Sequence, residues 1–524
     1  MALQLNVTSQ TTIRDLDAFS SKVGDQAKIR GKVEKDGSIT LYASTRKSGA
    51  FDWLAKLFGG ASRKDKQEAG QRAIETILRN SSSLGEGTHQ KLVSNLWGGV
   101  PHGRGQELRT DGLQKVVDTS RDLLSQSVEF MGKTYNREKQ LGSDGFGVVD
   151  LYRSEDGESI VLKRPKVEMG TMPNTPLEKE RHLEFVNRER DTAYQELREE
   201  IALYRHIQQA GGHPNVLPML GELTGPMGEP ILVLPLMPNG DAFSLGNSLC
   251  GALEQGRVDG HQGQLMGLTM LKDVGDSLQH LHERAGVLHL DMKPENYLVD
   301  GEGRLQLMDF GTSMVGVEHQ LKRLPVDIPR YYPPEVLIAR VQRKEGDIGK
   351  RDRINEIERQ IRQDNRTPGT LSPEHRTELL KEQEELRSAN AQIKAATTIP
   401  VNEKSDSWAL GIMAYRLLVD NRSQSVSPFF HETDNYVGKQ LERTEAFGKS
   451  QAPLLDQVAL WYPDDEGLRA RIGNLSPEVK ELVNGLLHPD PEQRMSVQQA
   501  LLHPLFQQQG VGSSEIRRQL VGLQ

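Results

Sequence analysis

The sequence predicts an α+β fold of two lobes, with a small N-terminal module before it and a charged helical hairpin inserted in it. Strand-like apolar runs at 147–153, 159–163 and 231–236 come first along the chain. After Asp241 the pattern becomes mainly helical, and strands followed by helices are typical of α+β folds. Residues 341–398 interrupt this order with dense Arg, Lys, Glu and Gln at helical spacing.

The composition describes a globular chain and argues against several classes of function. Its 524 residues exceed the usual size of one domain. The net charge of −8 argues against a nucleic-acid partner, which needs a basic surface. No apolar run reaches the roughly 18–20 residues of a transmembrane segment, and no secretory signal is recognisable. The single cysteine, Cys250, fits a reducing compartment and is expected to be a small buried residue.

Residues 1–130 are predicted to form an N-terminal secretion or targeting region with a small module. The stretch before Arg14 is uncharged and polar and is expected to lack fixed structure. A basic amphipathic stretch at 51–66 either binds a membrane surface or a partner, or forms a core helix of the module, which is the favoured interpretation. Polar, glycine-rich stretches at 81–87 and 98–105 are predicted linkers.

A glycine-bearing turn between two strand-like segments is the first candidate for nucleotide binding. Its candidate contact residues are Leu141, Gly142, Gly145, Gly147 and Val149. Glycine lets a backbone approach phosphate oxygens without an intervening side chain. Alone, such a turn is weak support for function, because glycine-bearing strand turns are common.

Lys163 ends a strand-like run and therefore needs an anionic partner. Phosphates together with a helix glutamate meet that need in known phosphotransferases. Glu200 is the best candidate for the glutamate, with Glu196 and Glu199 as alternatives. Lys163 and Glu200 are 37 residues apart, so the charged stretch around 166–190 is expected to be an insert.

Two further motifs decide the interpretation. The segment His289-Leu-Asp-Met-Lys-Pro-Glu-Asn296 resembles the catalytic loop of eukaryotic-type protein kinases, and Asp309-Phe-Gly311 resembles their metal-binding loop. The resemblance covers about residues 136–507 and implies a bilobal protein kinase fold. It implies the following boundaries: N-lobe 136–236, C-lobe 241–507 with the helical insert at 341–398, and C-terminal tail 508–524.

The resemblance also implies a role for each matching residue in the motifs. Asp291 would accept the proton of a substrate hydroxyl, and Asn296 and Asp309 would hold Mg²⁺, with Mn²⁺ as an alternative. Lys163 would bind phosphates of ATP, and Lys293 would neutralise the γ-phosphate, as in kinases specific for serine and threonine. The glycine turn departs from the family pattern, because Asp144 stands where the middle glycine is expected.

Other matches lie outside the catalytic motifs. Pro235 and Met237 resemble the hinge that binds adenine, with Met237 donating its N–H. Asp406 would brace the catalytic loop, and Glu335 would pair with Arg494 in a buried ion pair. This set is absent from small-molecule kinases, so the resemblance implies a protein substrate.

The sequence before the catalytic aspartate bears on regulation. Many kinases have an arginine there that pairs with a phosphate on the activation loop, whereas this chain has Leu290. Between Asp309 and Arg330 the hydroxyl residues are Thr312 and Ser313, directly after the metal-binding loop. We therefore expect a kinase that is active without an upstream kinase.

The segment between Glu335 and Asp406 is longer than kinases usually need. Its charged hairpin either docks a partner or is a solvated pair of helices, and it is expected to be separable from catalysis.

A second resemblance is to effector kinases that Gram-negative pathogens inject through type III secretion, with Xop-type effectors of plant pathogens as one class. It rests on the uncharged Ser/Thr/Gln-rich start and on the segment 46–58. It implies residence in the cytosol of the producing bacterium and then in the host cytoplasm, a secretion chaperone, and host protein substrates such as immune-signalling kinases. The alternatives are a pseudokinase scaffold and an endogenous serine/threonine kinase.

Overall fold

The computed structural model describes much of the chain from residue 126 onward and separate short stretches before it. The described residues are 4–7, 11, 15–16, 19, 28–34, 39–44, 69, 72–74, 76–77, 126–143, 147–167, 176–225, 228–316, 319–320, 331–345, 348–366, 370–396, 399–422, 428–429, 443–444, 446–450 and 452–524. The chain divides into two compact units. Unit 1 comprises Met1–Ile201 and Met219–Leu236, and unit 2 comprises Ala202–Pro218 and Met237–Gln524.

Unit 1 is built on two antiparallel sheets. Its strands are β1 Gln4–Val7, β2 Lys28–Val33, β3 Ile39–Ser44, β4 Ser127–Phe130, β5 Lys133–Ser143, β6 Gly147–Ser154, β7 Ser159–Pro165, β8 Gly221–Thr224 and β9 Pro230–Pro235. The first sheet has the order β1-β3-β2 and the second the order β4-β5-β6-β7-β9-β8. The three predicted strand-like runs correspond to β6, β7 and β9. Strands β7 and β9 are rich in buried aliphatic residues, whereas the buried apolar side chains of β6 are Leu151 and Tyr152.

The expectation that the first residues lack fixed structure is wrong for 4–7. Strand β1 pairs with β3, with Leu5 opposite Leu41. The polar residue Asn6 is used in this pairing, since its side-chain oxygen accepts a hydrogen bond from Thr40 Oγ1 at 2.8 Å. Its carbonyl oxygen accepts another from Thr11 Oγ1 at 3.2 Å. Uncharged polar residues therefore take part in this strand instead of preventing it.

The N-terminal residues share one apolar core with the larger sheet of unit 1. The buried members of this core are Val7, Leu16, Phe19, Ile29, Leu41, Ala73, Ile74, Ile77, Val128, Phe130, Tyr135, Tyr152, Ile160, Leu162, Ile231 and Val233. Ile160 and Leu162 alternate on β7 with Val161 and Lys163, so the core lies on the face of the sheet opposite Lys163. The amphipathic stretch at 51–66 and both predicted linkers lie outside the described residues.

A helix of 34 residues, α1 Pro176–Gln209, follows the sheet strands β5 to β7 and carries Glu200. Residues 176–190 of the predicted insert around 166–190 belong to this helix, and the insert itself stays a prediction. Those residues extend the helix at its N-terminal end.

Unit 2 is mainly helical. Its helices after α1 are α2 Ala242–Glu254, α3 Gly260–His280, α4 Pro334–Glu345, α5 Ile348–Arg366, α6 Pro373–Ala396, α7 Glu403–Ala414, α8 Leu454–Trp461, α9 Glu466–Asn474, α10 Pro477–Leu486, α11 Val497–Leu501 and α12 Ser514–Val521. Its short strands are β10 Val287–Leu288, β11 Tyr297–Val299, β12 Leu305–Leu307, β13 Met314–Val315, β14 His319–Gln320 and β15 Pro400–Val401. None of the helices in the described ranges is long and apolar enough to cross a membrane.

Side-chain caps define the starts of the helices that carry the site. Asp241 Oδ1 accepts a hydrogen bond from Ser244 N at 2.7 Å and begins α2. Asn402 and Ser405 form a capping box at the start of α7, which satisfies otherwise unpaired backbone donors. Cys250 on α2 is buried as expected, and burial raises the pKa of its thiol to about 11.

Helices α5 and α6 occupy the segment for which a charged hairpin is predicted. Their charged faces are joined by ion pairs such as Arg353–Glu382 and Arg387–Glu358, at 2.8 and 2.9 Å. Ile357 is completely buried, and helix α6 packs against α4. The hairpin therefore has an apolar seam of its own under its charged surface.

Residues after 507 contain helix α12, although only a C-terminal tail is predicted there. Arg517 on this helix forms an ion pair with the carboxylate of Asp273, which is buried in α3. The same carboxylate accepts the backbone N–H of Leu305 at 3.0 Å. Burial raises the pKa of Asp273, and Arg517 partly opposes that effect.

The predicted ion pair between Glu335 and Arg494 is confirmed. The two guanidinium nitrogens of Arg494 contact the two carboxylate oxygens of Glu335 at 2.8 and 3.0 Å. The Arg494 side chain has no exposed area and also contacts the ring of Trp408. Arg494 therefore links α4, which carries Glu335, to α7, which carries Trp408.

We predict that Arg494→Ala lowers the melting temperature strongly. Removing one partner of a buried ion pair strands the other charge and costs roughly 3–5 kcal/mol of unfolding free energy. The matched control is Arg304→Ala, whose ion pair with Glu302 is largely exposed. Thermal unfolding of the two variants checks this, and equal melting temperatures would contradict a stabilising role for the pair.

Candidate active site

Lys163 and Glu200 form a buried ion pair within unit 1. The Lys163 Nζ atom lies 2.9 Å from both carboxylate oxygens of Glu200, and both side chains are less than a tenth exposed. Strand β7 and helix α1 supply the two residues. Of the three candidate glutamates, Glu200 is the one in this contact, whereas Glu199 is exposed and accepts a hydrogen bond from Gln195.

The glycine turn joins β5 to β6, and the two strands pair through Gly142 and Val149. A Cβ atom at Gly147 would lie 2.8 Å from the carbonyl oxygen of Arg164, so any larger residue would displace β6 from β7. A Cβ at Gly142 would meet nothing within 4 Å. Leu141 is partly exposed, and Gly145 lies outside the described residues together with Asp144.

Asp291 lies in the loop between β10 and β11, and two neighbours orient its carboxylate. Lys293 Nζ donates to Asp291 Oδ2 at 2.9 Å, and Asn296 Nδ2 donates to the same oxygen at 3.0 Å. Asn296 Nδ2 also donates to the carbonyl oxygen of Asp291 at 2.7 Å. The carboxylate remains partly exposed, so it can reach a bound hydroxyl group.

Burial and charge act in opposite directions on Lys293. Burial lowers the pKa of its ammonium, but the charge and hydrogen bond of Asp291 outweigh that effect and raise the pKa overall. Lys293 is therefore a stable cation beside the Asp291 carboxylate.

Asn296 and Asp309, the two predicted metal ligands, lie close together along the backbone. Both N–H groups of the Asn296 amide face Asp291, which leaves the amide oxygen as the atom for a metal. The backbone joins the two residues, since Met308 N donates to the carbonyl oxygen of Asn296 at 2.9 Å. In the described ranges there is no group of three or more His, Cys, Asp or Glu that could hold a metal. One carboxylate and one amide fit Mg²⁺, which takes its other ligands from water and phosphates.

Phe310 fixes the conformation of the metal-binding loop. Its side chain is completely buried, with its ring 4.7 Å from that of Tyr204 and 5.5 Å from that of His289. Asp309 has a left-handed backbone with φ of 64°, and its N–H donates to Tyr204 Oη at 3.3 Å. The loop is thus tied to helix α1 and to the catalytic loop within unit 2.

Comparison with known families matches residues 135–348 and 393–506 to the protein kinase domain. The chain belongs to the protein kinase family. The match spans more than half of the chain and leaves out 349–392, which include most of α5 and α6. The prediction of an α+β protein kinase fold is thereby confirmed, and ATP with a divalent metal ion is what this family uses.

Individual kinases resemble parts of the chain. Aurora kinase B of Xenopus tropicalis is 29% identical over 40% of this chain and 49% of its own length. Calcium-dependent protein kinase 17 of Arabidopsis thaliana is 23% identical over 74% of this chain and 52% of its own. CBL-interacting serine/threonine-protein kinase 24 of Arabidopsis thaliana is 26% identical over 41% of each. The chain thus matches about half or less of the length of these relatives.

A buried carboxylate, that of Asp406, holds the predicted catalytic loop. Asp406 accepts the backbone N–H groups of His289 and Leu290, both at 2.9 Å, as its predicted bracing role requires. Its Oδ2 atom also lies 2.9 Å from His282 Nε2. Burial raises the pKa of Asp406, but His282 and His289 outweigh that effect, so the pKa lies below its usual value.

Two residues that position the site were not found from the sequence. Tyr204 follows Glu200 by four residues on α1, so it lies on the same helix face, and that spacing is the available signal. His282 lies seven residues before His289 and has no recognisable motif of its own. Both act through contacts between distant parts of the chain.

The hinge residues Pro235 and Met237 lie where the chain passes from unit 1 to unit 2. Pro235 is the last residue of β9, opposite Ile160 on β7. Met237 follows in unit 2 and is half-buried. Their assignment to adenine binding stays a prediction.

We predict that Gly147→Ala and Gly142→Ala differ in their effects on the kinase. The Cβ at position 147 forces β6 away from β7, and overpacking of this kind costs about 1–3 kcal/mol. Gly147→Ala should therefore melt lower and bind ATP more weakly, because Lys163 lies on β7. Gly142→Ala should melt like the wild type. Thermal unfolding and the KM for ATP check this, and a wild-type melting curve for Gly147→Ala would reject the steric argument.

Proposed function

We propose that this chain is an active protein kinase that transfers the γ-phosphate of ATP to serine or threonine hydroxyls of proteins. The observation that carries the proposal is the Asp291 carboxylate, oriented by Lys293 and Asn296 and joined through the backbone to Asp309. A partly exposed carboxylate in this setting can accept the proton of a bound hydroxyl. The family match and the serine/threonine kinase among the relatives support the same activity.

Each unit supplies a defined part of the chemistry. In unit 1, Glu200 orients Lys163, which would bind the α- and β-phosphates of ATP. In unit 2, Lys293 neutralises negative charge at the phosphate that is transferred, while Asp291 orients the acceptor hydroxyl. Mg²⁺ held by Asn296 and Asp309 would neutralise phosphate charge. Phosphoryl transfer requires positioning and charge compensation more than covalent chemistry, so these groups are sufficient.

A pseudokinase scaffold is the weaker alternative. Such a protein would be expected to lack one or more of Lys163, Asp291, Asn296 and Asp309, whereas this chain has all four. Lys163 is moreover already paired with Glu200, and Phe310 is buried beside Tyr204. These contacts support the active kinase over the scaffold.

We expect Asp291→Asn to remove most activity and to leave the fold intact. Losing a positioned base costs on the order of 10²–10⁴ in rate. Lys163→Met should cause a similar loss because the phosphates lose their cation. The matched control is Asp352→Asn, which changes an exposed carboxylate on α5. The measurement is ³²P transfer from ATP to myelin basic protein with Mg²⁺, and near wild-type transfer by both site variants would show that the assigned site is wrong.

We further propose that the kinase needs no activation-loop phosphate. Leu290 cannot bind a phosphate, and it stands where an arginine would do so. The hydroxyl groups of Thr312 and Ser313 both donate to the carbonyl oxygen of His289, at 3.3 and 3.2 Å, so they have a structural use. Residues 321–330 of the loop lie outside the described residues.

Protein that has been treated with phosphatase and then freed of it should phosphorylate substrate without a lag. The Leu290 side chain is uncharged and cannot bind a phosphate. Removing phosphate from the protein should therefore leave the rate of phosphate transfer unchanged. The time course of phosphate transfer checks this. A long lag that disappears after pre-incubation with ATP would show that autophosphorylation is required.

We propose as well that the kinase is a type III effector that acts on host signalling proteins in the host cytoplasm. The uncharged polar start before Arg14 supports this, as does the resemblance of residues 46–58 to such effectors. Residues 46–58 lie outside the described residues.

Residues 1–50 fused to a calmodulin-dependent adenylate cyclase reporter should raise cyclic AMP in host cells exposed to secretion-competent bacteria. Equal cyclic AMP with a secretion-deficient strain would reject the effector role.

A further inference from the structure

Leu290 has a strained backbone at the center of the catalytic loop. Its φ of 64° lies in the left-handed region, which residues other than glycine, asparagine and aspartate rarely adopt. Its N–H donates to Asp406 Oδ1 at 2.9 Å, and its side chain is 6% exposed. Asp291, the proposed base, is the next residue. Any relaxation of Leu290 would therefore move Asp291.

Apolar residues from four parts of unit 2 surround the Leu290 side chain. The cluster consists of Leu288, Leu290, Met314, Tyr332, Val336, Ala339, Ile399 and Val401. Val401 lies in strand β15, which follows the α5–α6 hairpin, and Ile399 directly precedes that strand. Both residues are almost completely buried. Leu288 and Leu290 thus share one apolar cluster with Ile399 and Val401, which follow the insert.

The same strand also holds the segment that follows the metal-binding loop. Strand β15 pairs antiparallel with β14, with Val401 opposite His319 and Pro400 opposite Gln320. Strand β13, which lies between the metal-binding loop and β14, contributes Met314 to the cluster and pairs with β10. The segment 399–401 therefore shares a cluster with Leu290 of the catalytic loop and pairs with a strand that follows the metal-binding loop.

A strained backbone persists when the surrounding structure fixes it from several sides. Asp406 fixes the backbone of Leu290, and the cluster fixes its side chain. In kinases that are switched by phosphorylation, an arginine and a phosphate order the activation loop instead. We propose that Ile399 and Val401 are positioning residues that hold the catalytic loop through Leu290 and replace that phosphate contact.

This inference rests on the proposed kinase activity, and the experiment separates the two. The test variant is the double substitution Ile399→Ala with Val401→Ala, which keeps the β14–β15 backbone pairing and removes the apolar contact. The volume-conserving variant is Ile399→Val with Val401→Ile. The matched control is Leu379→Ala, which empties a buried position on α6 that is not a member of the cluster.

The kcat and the KM for ATP are measured with myelin basic protein and Mg²⁺, below the melting temperature of every variant. We expect the double alanine variant to lose about 100-fold in kcat, as a displacement of the base by about 1 Å can cause. Its KM for ATP should stay near the wild-type value, because Lys163 and Glu200 are unchanged. The volume-conserving variant should keep most of the kcat, and Leu379→Ala should lower only the melting temperature.

Amide hydrogen exchange of residues 287–292 provides a readout that does not depend on activity. Exchange should become faster in the double alanine variant and stay at the wild-type rate in Leu379→Ala. A wild-type kcat and exchange rate in the double alanine variant would overturn the inference, as would an equal loss of kcat in Leu379→Ala. Absence of phosphate transfer by the wild type would instead reject the proposed function, and exchange alone would then decide the positioning role.

Discussion

The geometry of the catalytic loop depends on one buried carboxylate, that of Asp406. A charge in this position is costly unless hydrogen bonds replace its lost water. The N–H groups of His289 and Leu290 and the ring of His282 supply those bonds. His289 in turn contacts the carbonyl oxygen of Met308 and the ring of Phe310, so the metal-binding loop is positioned from the same point. The catalytic loop and the metal-binding loop are therefore positioned by one connected set of contacts around Asp406 and His289.

Buried ion pairs elsewhere in the two units hold side chains and helices in defined positions. This role matters more than their contribution to the free energy of unfolding. Replacing such a pair by apolar residues is often neutral or stabilising, so its presence indicates a need for defined geometry. Lys163–Glu200 fixes a cation on a strand, and Glu335–Arg494 fixes helix α4. Helix α4 also contributes Val336 to the cluster around Leu290.

The site was more predictable from the sequence than the fold around it. Asp291, Asn296 and Asp309 lie in short motifs where each residue type is required by phosphate and metal chemistry, and such motifs can be read locally. Strands β6 and β7 were predictable because they are apolar runs. Strand β5, by contrast, is mostly exposed and polar, and β1 is held by pairing with residues more than 30 positions away. The cluster that contains Leu290, Ile399 and Val401 likewise joins parts of the chain that no local pattern connects.

The folded domain begins before the start of the family match, because the N-terminal residues and the larger sheet share one apolar core. The family match starts at residue 135, but Tyr152, Ile160 and Leu162 bury their side chains in a core that also contains Val7, Leu16 and Leu41. A fragment cut at the family boundary would present that face of the sheet to water, and a contiguous apolar patch of this kind promotes self-association. Soluble expression of the catalytic part would thus need the chain from its first strand, and an insoluble truncated fragment would say nothing about catalytic competence.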